Sequence, residues 1–456
     1  MKTTYTSLLR TLFIAALSIS PFCLRAQQSS LQFFRPNDQR GINIFETGKQ
    51  DTVAFTGLKV KIGGNFELSF QTLRDQNTAI YATKTGFSGN VNSLIKLTDG
   101  FNLPMANLNV DVQLADGIRL NLTSYLATRH HEDTWVKGGY IQFDKLTFLH
   151  SDLIDQIMKS FTVKIGQNDV DYGDQHFRRS DGGNTIYNPF VENYIMDEFA
   201  TETGAEVYYH HPSGLFLMGG VTNGELNETV VAPVKIDSAT KKVNQYAPAF
   251  HGKIGFDKQL NADTRIRLSG SFYSVSSANS STLFGGDRTG SHYYYVMENQ
   301  NVANGTTLSN AVDYSPFSGR FNPGFSEEVH TYMGNLFLKY KGLEFFGTYE
   351  NAKGRSITES TNRRATQYAA DVIYRFPENK ENFWLGVRYN TVTAALQGIT
   401  PDVTINRTVG SAGWFMTKNI MMKVEYVNQV YKNYPDTNIL NGGKFDGVML
   451  EAAIAF

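Results

Sequence analysis

The sequence contains a single cysteine, Cys23, and this residue lies in an N-terminal segment that resembles an export signal. Basic residues precede a short apolar run, and Ala26 places a small residue before a plausible cleavage point, as in a secretory signal peptide. We therefore predict that residues 1–26 are a signal peptide. The mature chain then has no cysteine, which excludes disulfides and thiol chemistry.

Long hydrophobic runs and an excess of one charge are also lacking. No other segment has the 18 or so apolar residues of a membrane-spanning helix. The formal net charge is −1, and removing residues 1–26 takes away three basic residues and no acid, which gives −4. This mild acidity gives no support for a nucleic-acid partner. What the chain does have is 24 tyrosines, 32 phenylalanines and 40 glycines at a mean hydropathy of −0.31, a combination typical of membrane β-barrels.

Apolar residues recur at every second position along most of the chain. In "LKVKIGGNFELSF", Leu58, Val60, Leu68 and Phe70 share one face while charged and polar residues take the other. This period is that of a β-strand with two different faces. It predicts sixteen strands, near residues 53–72, 105–115, 117–128, 134–147, 160–170, 201–211, 214–224, 246–258, 263–276, 328–341, 343–354, 366–376, 382–394, 403–416, 419–432 and 445–456. Segments 134–147 and 246–258 alternate least clearly.

Short and long connections alternate in phase along these strands. If the N-terminus is periplasmic, the short ones are periplasmic turns and the long ones are extracellular loops. The exception is the connection at 150–160, which we predict to form a short helix. A soluble β-sandwich has no reason to sort its connections in this way. We therefore predict an all-β protein: a transmembrane antiparallel β-barrel over residues 53–456, with 27–52 as an N-terminal periplasmic segment.

The last strand has apolar residues at Val448, Leu450, Ile454 and Phe456. It is expected to pair with the first strand, because an open sheet edge in lipid leaves backbone groups without partners. The terminal aromatic residue with its alternating apolar neighbours also resembles the signal read by the barrel-assembly machinery of Gram-negative outer membranes. That machinery and outer-membrane lipid are therefore expected partners.

Side chains alternate between the two faces of a strand, and this alternation, which we call strand parity, predicts which charged residues face the lumen. A barrel of sixteen strands is too wide for wall side chains to fill and is expected to enclose water. The inward charges either line an aqueous channel or only solvate the wall and pair with one another. The predicted lumen-facing residues are Lys59, Lys61, Arg119, Lys164, Arg265, Arg267, Lys339, Arg375, Arg388, Lys423, Asp111, Glu206 and Glu425.

The long polar segment 171–200 joins the fifth and sixth predicted strands. We expect it to fold into the barrel as a constriction, with Arg178 and Arg179 facing carboxylates across the narrowest point. The alternative is a surface loop over the outer mouth. The charged residues of the proposed constriction are Asp171, Asp174, Arg178, Arg179, Asp181, Glu192, Asp197 and Glu198.

With its leader, sixteen strand-like segments, the "VKIGQ" strand before the "NPF"-containing loop and terminal Phe456, the chain resembles the phosphate-selective and related outer-membrane porins. The resemblance implies passive diffusion of small hydrophilic solutes or ions without a cofactor, no enzymatic activity, and a homotrimer as a possible assembly. It does not extend to phosphate selectivity, because residues 169–200 carry seven carboxylates against two arginines.

Other motifs give weaker signals. Asp169, Asp171 and Asp174 resemble part of a calcium loop but lack its distal glutamate, and the paired histidines 130–131 and 210–211 lie at strand ends, so no metal site is predicted. The competing functions are an anion- or phosphate-selective porin, a barrel-embedded hydrolase, and a surface receptor acting through loop 277–327. A TonB-dependent transporter needs about 22 strands, for which the chain is too short.

Overall fold

The computed structural model describes residues 30–85, 89–126, 135–226, 229–232, 236, 245–286, 289–300 and 319–456, so the predicted signal peptide lies outside the described residues. The described chain forms one closed antiparallel barrel in which each strand pairs with its neighbours in sequence and β1 pairs with β16. The strands are β1 (Lys59–Gln76), β2 (Gly100–Ala115), β3 (Ile118–Leu126), β4 (Trp135–Phe143), β5 (Phe161–Asp169), β6 (Thr201–His210), β7 (Leu215–Thr222), β8 (Ala249–Gln259), β9 (Thr264–Val275), β10 (Glu328–Tyr340), β11 (Leu343–Arg355), β12 (Arg363–Phe376), β13 (Phe383–Ala394), β14 (Val403–Thr417), β15 (Ile420–Lys432) and β16 (Lys444–Ala455).

The predicted count of sixteen strands is confirmed, including the two segments with weak alternation, which form β4 and β8. The largest differences concern the first hairpin. β1 begins at Lys59 rather than near 53, because Val53 is held by the segment before it: its carbonyl accepts a hydrogen bond of 2.9 Å from Gln32. β2 begins five residues earlier than predicted, since Phe101 pairs with Phe70 across the hairpin.

The barrel has two different ends. The short turns lie at one end, which we call the turn end, and the long connections lie at the other, the loop end. The connection between β4 and β5 contains the predicted short helix, α1 (Asp152–Met158), whose first turn carries Asp152 and Asp155. Acidic residues in this position are favourable because they face the positive end of the helix dipole. Within the described ranges, no helix has the length and hydropathy that a membrane crossing requires.

The outer surface of the barrel is apolar and the inner surface is polar. In β1 the side chain of Leu68 is 54% exposed, whereas the neighbouring Glu67 is fully buried. Leu122, Leu268 and Val387 are exposed in the same way on other strands. An apolar outer band with polar inner residues is the arrangement that a lipid bilayer requires of a β-barrel.

The barrel closes between its first and last strands, as the sequence predicts. Leu68 lies opposite Ala452, and Asn65 lies opposite Ala455. Beyond the strand, the Phe456 N–H donates to the Gly64 carbonyl over 3.1 Å, and the Gly64 N–H donates back over 3.3 Å. The closing pairing therefore leaves no free edge along this seam. A signal for barrel assembly in Val448, Leu450, Ile454 and Phe456 stays a prediction.

The two faces of β3 provide a direct test of this orientation. We expect Leu122→Arg to impair membrane insertion, since a lipid-facing arginine near the midplane costs about 2–4 kcal/mol. Asn121→Arg is the matched control, because Asn121 lies on the inner face beside Asp111, to which it donates a hydrogen bond of 3.0 Å. Urea unfolding in lipid vesicles and heat-modifiable gel migration measure the difference. Equal stability of the two variants would contradict the assigned faces.

Candidate functional site

Much of the barrel interior is occupied by the chain itself. Among the described residues, three segments enter it: residues 31–48, which we call the N-terminal segment; residues 171–200, the inner loop; and residues 289–299 with 319–327, the second loop. Inner-loop residues such as Phe190 and Ile195 are fully buried. Chain segments therefore occupy part of the interior that sixteen strands enclose, so the lumen is narrower than the strand count alone predicts.

The inner loop is fixed to the wall through its backbone. The Ile195 N–H donates to the Asn390 side chain over 2.6 Å, and the Met196 N–H donates to Gln367 over 3.0 Å. Gln367 also donates to the Met196 carbonyl over 2.7 Å. Because buried backbone groups must be paired, amide side chains on the wall serve as the partners that a strand would otherwise provide. The segment 171–200 thus lies inside the barrel and not over its mouth.

Acidic residues of the inner loop are neutralised by two arginines from different segments. Arg179 pairs with Asp181 and, over 2.8 Å, with Asp197. Arg320, from the second loop, lies 2.9 Å from Glu192 and 2.6 Å from Asp197. All five side chains are buried. Burial raises the pKa of Asp197 to about 7, although Arg179 and Arg320 act to lower it.

Arg178 points away from Arg179, which differs from the expectation that the pair faces carboxylates together. Its guanidinium carbon lies 4.6 Å from the ring centre of Phe346 and 5.8 Å from that of Phe337. Both terminal nitrogens lack hydrogen-bond partners among the described residues. The aromatic faces attract this cation, and the carboxylates of Glu344 and Asp371 also favour its charged form.

A second charge network joins the inner loop, the N-terminal segment and the wall. Arg267 binds Asp174 over 2.7 Å and Glu46 over 2.7 Å, while Lys253 pairs with Asp171 and, over 3.2 Å, with Glu46. Burial would raise the pKa of Glu46, but Arg267 and Lys253 lower it to about 2. The N-terminal segment therefore enters the turn end, where buried ion pairs hold Glu46. That this end faces the periplasm stays a prediction.

The remaining predicted residues lie on the inner face and mostly find partners there. Glu198 is buried, and neither of its carboxylate oxygens has a hydrogen-bond partner among the described residues. Lys59 and Lys339 are half-buried near the turn end. The main pairings are Arg265–Asp257, Arg375–Glu344, Arg388–Asp371, Lys423–Glu451, Glu206–His251, Arg119–Asp111, and Glu425 with Tyr293.

Sequence reasoning missed several residues of these networks. His251 and Lys253 lie on β8, where glycines weaken the apolar alternation and conceal the inward face. Glu46 belongs to a segment without strand periodicity, so parity gave no direction for it. Arg320 lies in a long connection, where the pattern of the sequence does not indicate which residues enter the barrel.

A polar cavity of about 270 Å³ lies against the wall formed by β1–β6. We call it the passage. It is lined by Gln142 near the turn end of β4 and by Lys137 toward the loop end, so it extends along the barrel. The inward residues of this wall include short side chains, such as Asn109 and Thr123, and long basic ones, such as Lys61 and Lys164.

The charges around the passage are not balanced locally. Asp111 is paired with Arg119 over 2.8 Å. By contrast, the ion pairs among the described residues include none of Arg35, Lys61 or Lys164, so no carboxylate there lies within 4.0 Å of their charged nitrogens. Burial lowers the pKa of Arg35 to about 10, so it remains protonated at neutral pH. In total, five arginine and lysine side chains line the passage against four aspartate and glutamate side chains.

Comparison with known proteins identifies the fold. No family model matches the chain, and no curated protein matches it. The outer membrane channel DcaP of Acinetobacter baumannii is similar at a TM-score of 0.50 and 11% identity, over 88% of this chain and 99% of that chain. An anion-selective porin from Comamonas acidovorans is similar at a TM-score of 0.49 and 9% identity, over 88% of this chain and 100% of that chain. The expected resemblance to outer-membrane porins is thus confirmed for the fold, and at these identities for the fold alone.

The docking of the inner loop gives a prediction about stability. Replacing Asn390 and Gln367 together with alanine leaves the Ile195 and Met196 N–H groups without acceptors, at about 1–3 kcal/mol each. We expect a lower urea midpoint in lipid vesicles and a noisier single-channel current. Thr393→Ala is the control, because Thr393 is exposed on the same strand. Unchanged stability and current in the double variant would show that these contacts do not hold the loop.

Proposed function

We propose that the protein is a channel of a Gram-negative outer membrane through which small hydrophilic solutes or ions diffuse passively. The observation that carries this proposal is the passage, a polar cavity that runs along the inside of a closed barrel with an apolar outer surface. The turn end, into which the N-terminal segment folds, then faces the periplasm, and the long connections face the outside. The predicted signal peptide fits export to that membrane.

The size and lining of the passage define what it admits. About 270 Å³ of space suits solutes of few heavy atoms and their hydration water. Charged and amide side chains on the wall replace part of the water shell of such a solute, which lowers the cost of entry. Diffusion of this kind needs no cofactor and no bond-breaking step. A homotrimer and recognition by the barrel-assembly machinery stay predictions of the sequence.

A preference for anions is the more specific form of this proposal. The amino groups of Lys61 and Lys164 lie against aromatic rings, 4.5 Å from the centre of Phe34 and 4.8 Å from that of Tyr208. Their charge is thus not cancelled by a carboxylate at contact distance, and a narrow, poorly screened space extends its influence. Most carboxylates of the inner loop do not oppose this, because they pair with arginines or lysines.

Planar-bilayer recording of the purified protein tests the channel itself. We expect discrete conductance steps from the folded, heat-modifiable protein and none from protein denatured by heating. A correctly folded preparation that gives no steps and admits no small sugars into vesicles would refute the proposal.

Charge substitution in the passage tests the anion preference. The double variant Lys61→Gln/Lys164→Gln is expected to move the reversal potential in a salt gradient toward that of a cation-preferring channel. The control Lys353→Gln/Lys432→Gln removes two exposed lysines and should leave the potential unchanged. At 1 M salt, where the Debye length is about 3 Å, the difference should shrink. Equal shifts in both double variants would contradict a local effect of the passage.

The pH dependence follows from Asp171, which lines the passage. Burial raises the pKa of Asp171 to about 6, although the ammonium of Lys253 acts to lower it. The carboxylate is therefore charged above this pH and neutral below it, so anion preference should increase as pH falls from about 8 to about 5. Asp171→Asn removes the titrating group and should flatten this part of the profile. An identical profile in the variant would assign the change to another group.

A further inference from the structure

Three potential metal ligands meet where the barrel closes. Glu67 of β1 and Glu451 of β16 point inward from the closing seam, and His292 reaches them from the second loop. The His292 Nε2 atom lies 2.7 Å from Glu451 Oε2 and 3.5 Å from Glu67 Oε2. All three ligand atoms lie within 4.8 Å of one another, and all three side chains are buried.

The polar atoms of this cluster are poorly satisfied. Both carboxylate oxygens of Glu67 lack hydrogen-bond partners among the described residues, and Glu67 is fully buried. The Nδ1 atom of His292 also has none, and its Nε2 contact with Glu451 does not have hydrogen-bond geometry. Burying a carboxylate without a partner is costly, so such a group is either protonated or held by a cation.

One cation is present but leaves the cluster incomplete. Lys423 lies 2.7 Å from Oε1 of Glu451, and it also donates to the carbonyl of Phe190 over 2.6 Å. It therefore engages the oxygen of Glu451 that is turned away from His292, and Oε2 remains for another ligand. With neutral His292, two carboxylates and one ammonium leave a charge of −1, and this charge is concentrated on the side of Glu67.

We propose that Glu67, Glu451 and His292 bind a divalent transition-metal ion, with zinc as the probe that best fits the donors. One imidazole nitrogen and two carboxylate oxygens are ligands that zinc accepts at about 2.0–2.2 Å. Ligands at this distance in tetrahedral geometry are about 3.4 Å apart, close to the 3.5 Å between Glu67 and His292. The His292 Nε2 and Glu451 Oε2 atoms, which are 2.7 Å apart, would move apart by a fraction of an ångström when both bind the ion.

The ion would link the second loop to the closing seam. His292 is already bound to the inner loop, because its backbone N–H donates a hydrogen bond of 2.7 Å to the Glu192 carboxylate. A metal bond on the same residue would thus fix both interior segments against β1 and β16. Since the ligands are buried, the ion enters while the barrel assembles. Its role is structural: it holds the second loop against the seam.

Metal analysis of the whole refolded protein tests this site. The chain is folded into detergent with zinc, freed of unbound metal on a desalting column, and assayed by inductively coupled plasma mass spectrometry. We expect about one zinc per wild-type chain. His292→Gln and Glu67→Gln/Glu451→Gln should lose this zinc while keeping heat-modifiable migration. His251→Gln is the matched control, because His251 is a buried histidine with one carboxylate, Glu206, 3.0 Å away.

A second readout does not depend on any variant. Cobalt in place of zinc should give the visible absorption bands of a tetrahedral site with nitrogen and oxygen ligands, and zinc should displace them. Wild-type protein that folds without retaining zinc or cobalt would overturn the proposal and leave a protonated imidazole as the balancing cation. Retention of zinc by both the His292 and the Glu67/Glu451 variants would equally overturn it. Neither result bears on whether the barrel conducts.

Discussion

Closure in lipid is the constraint on which the rest of the structure depends. Backbone groups in a bilayer must be paired, so β1 and β16 join and the sheet has no edge. Closing sixteen strands then fixes an interior wider than wall side chains can fill. The inner loop, the second loop and the N-terminal segment enter this space, and their polar groups need partners there. The inward charges of the wall are those partners.

The two sides of the wall differ in how they engage the inner loop. Along β10–β15, inward residues such as Arg388, Gln367 and Trp384 bind the backbone of the inner loop. Along β1–β6 the inward residues, Asn109 and Lys61 among them, border the passage. An asymmetric wall therefore gives an asymmetric lumen, filled on one side and open on the other. Positive side chains without carboxylate partners border the open side.

The barrel could be predicted from the sequence because its rules are local. Alternation and turn spacing depend on neighbouring residues, so all sixteen strands and the closing pair were found. The interior depends on contacts between distant residues, and parity cannot supply these. Arg320 and Glu46 lie in connections without periodicity, and the direction of Arg178 is set by Phe346, far along the chain. Strand parity predicted that Lys423 faces the lumen, but it could not predict that Lys423 pairs with Glu451.

Thiol accessibility measures most directly whether the lumen is open on one side only. The mature chain is expected to lack cysteine, so Thr123→Cys in the passage and Ser411→Cys on the filled side each introduce a single thiol. Thr123 lines the cavity, whereas the Ser411 hydroxyl donates to the Pro189 carbonyl over 2.9 Å. A charged methanethiosulfonate reagent should reduce the single-channel current of the Thr123 variant and leave that of the Ser411 variant unchanged. Equal block of both variants, or block of the Ser411 variant alone, would contradict this account of the passage.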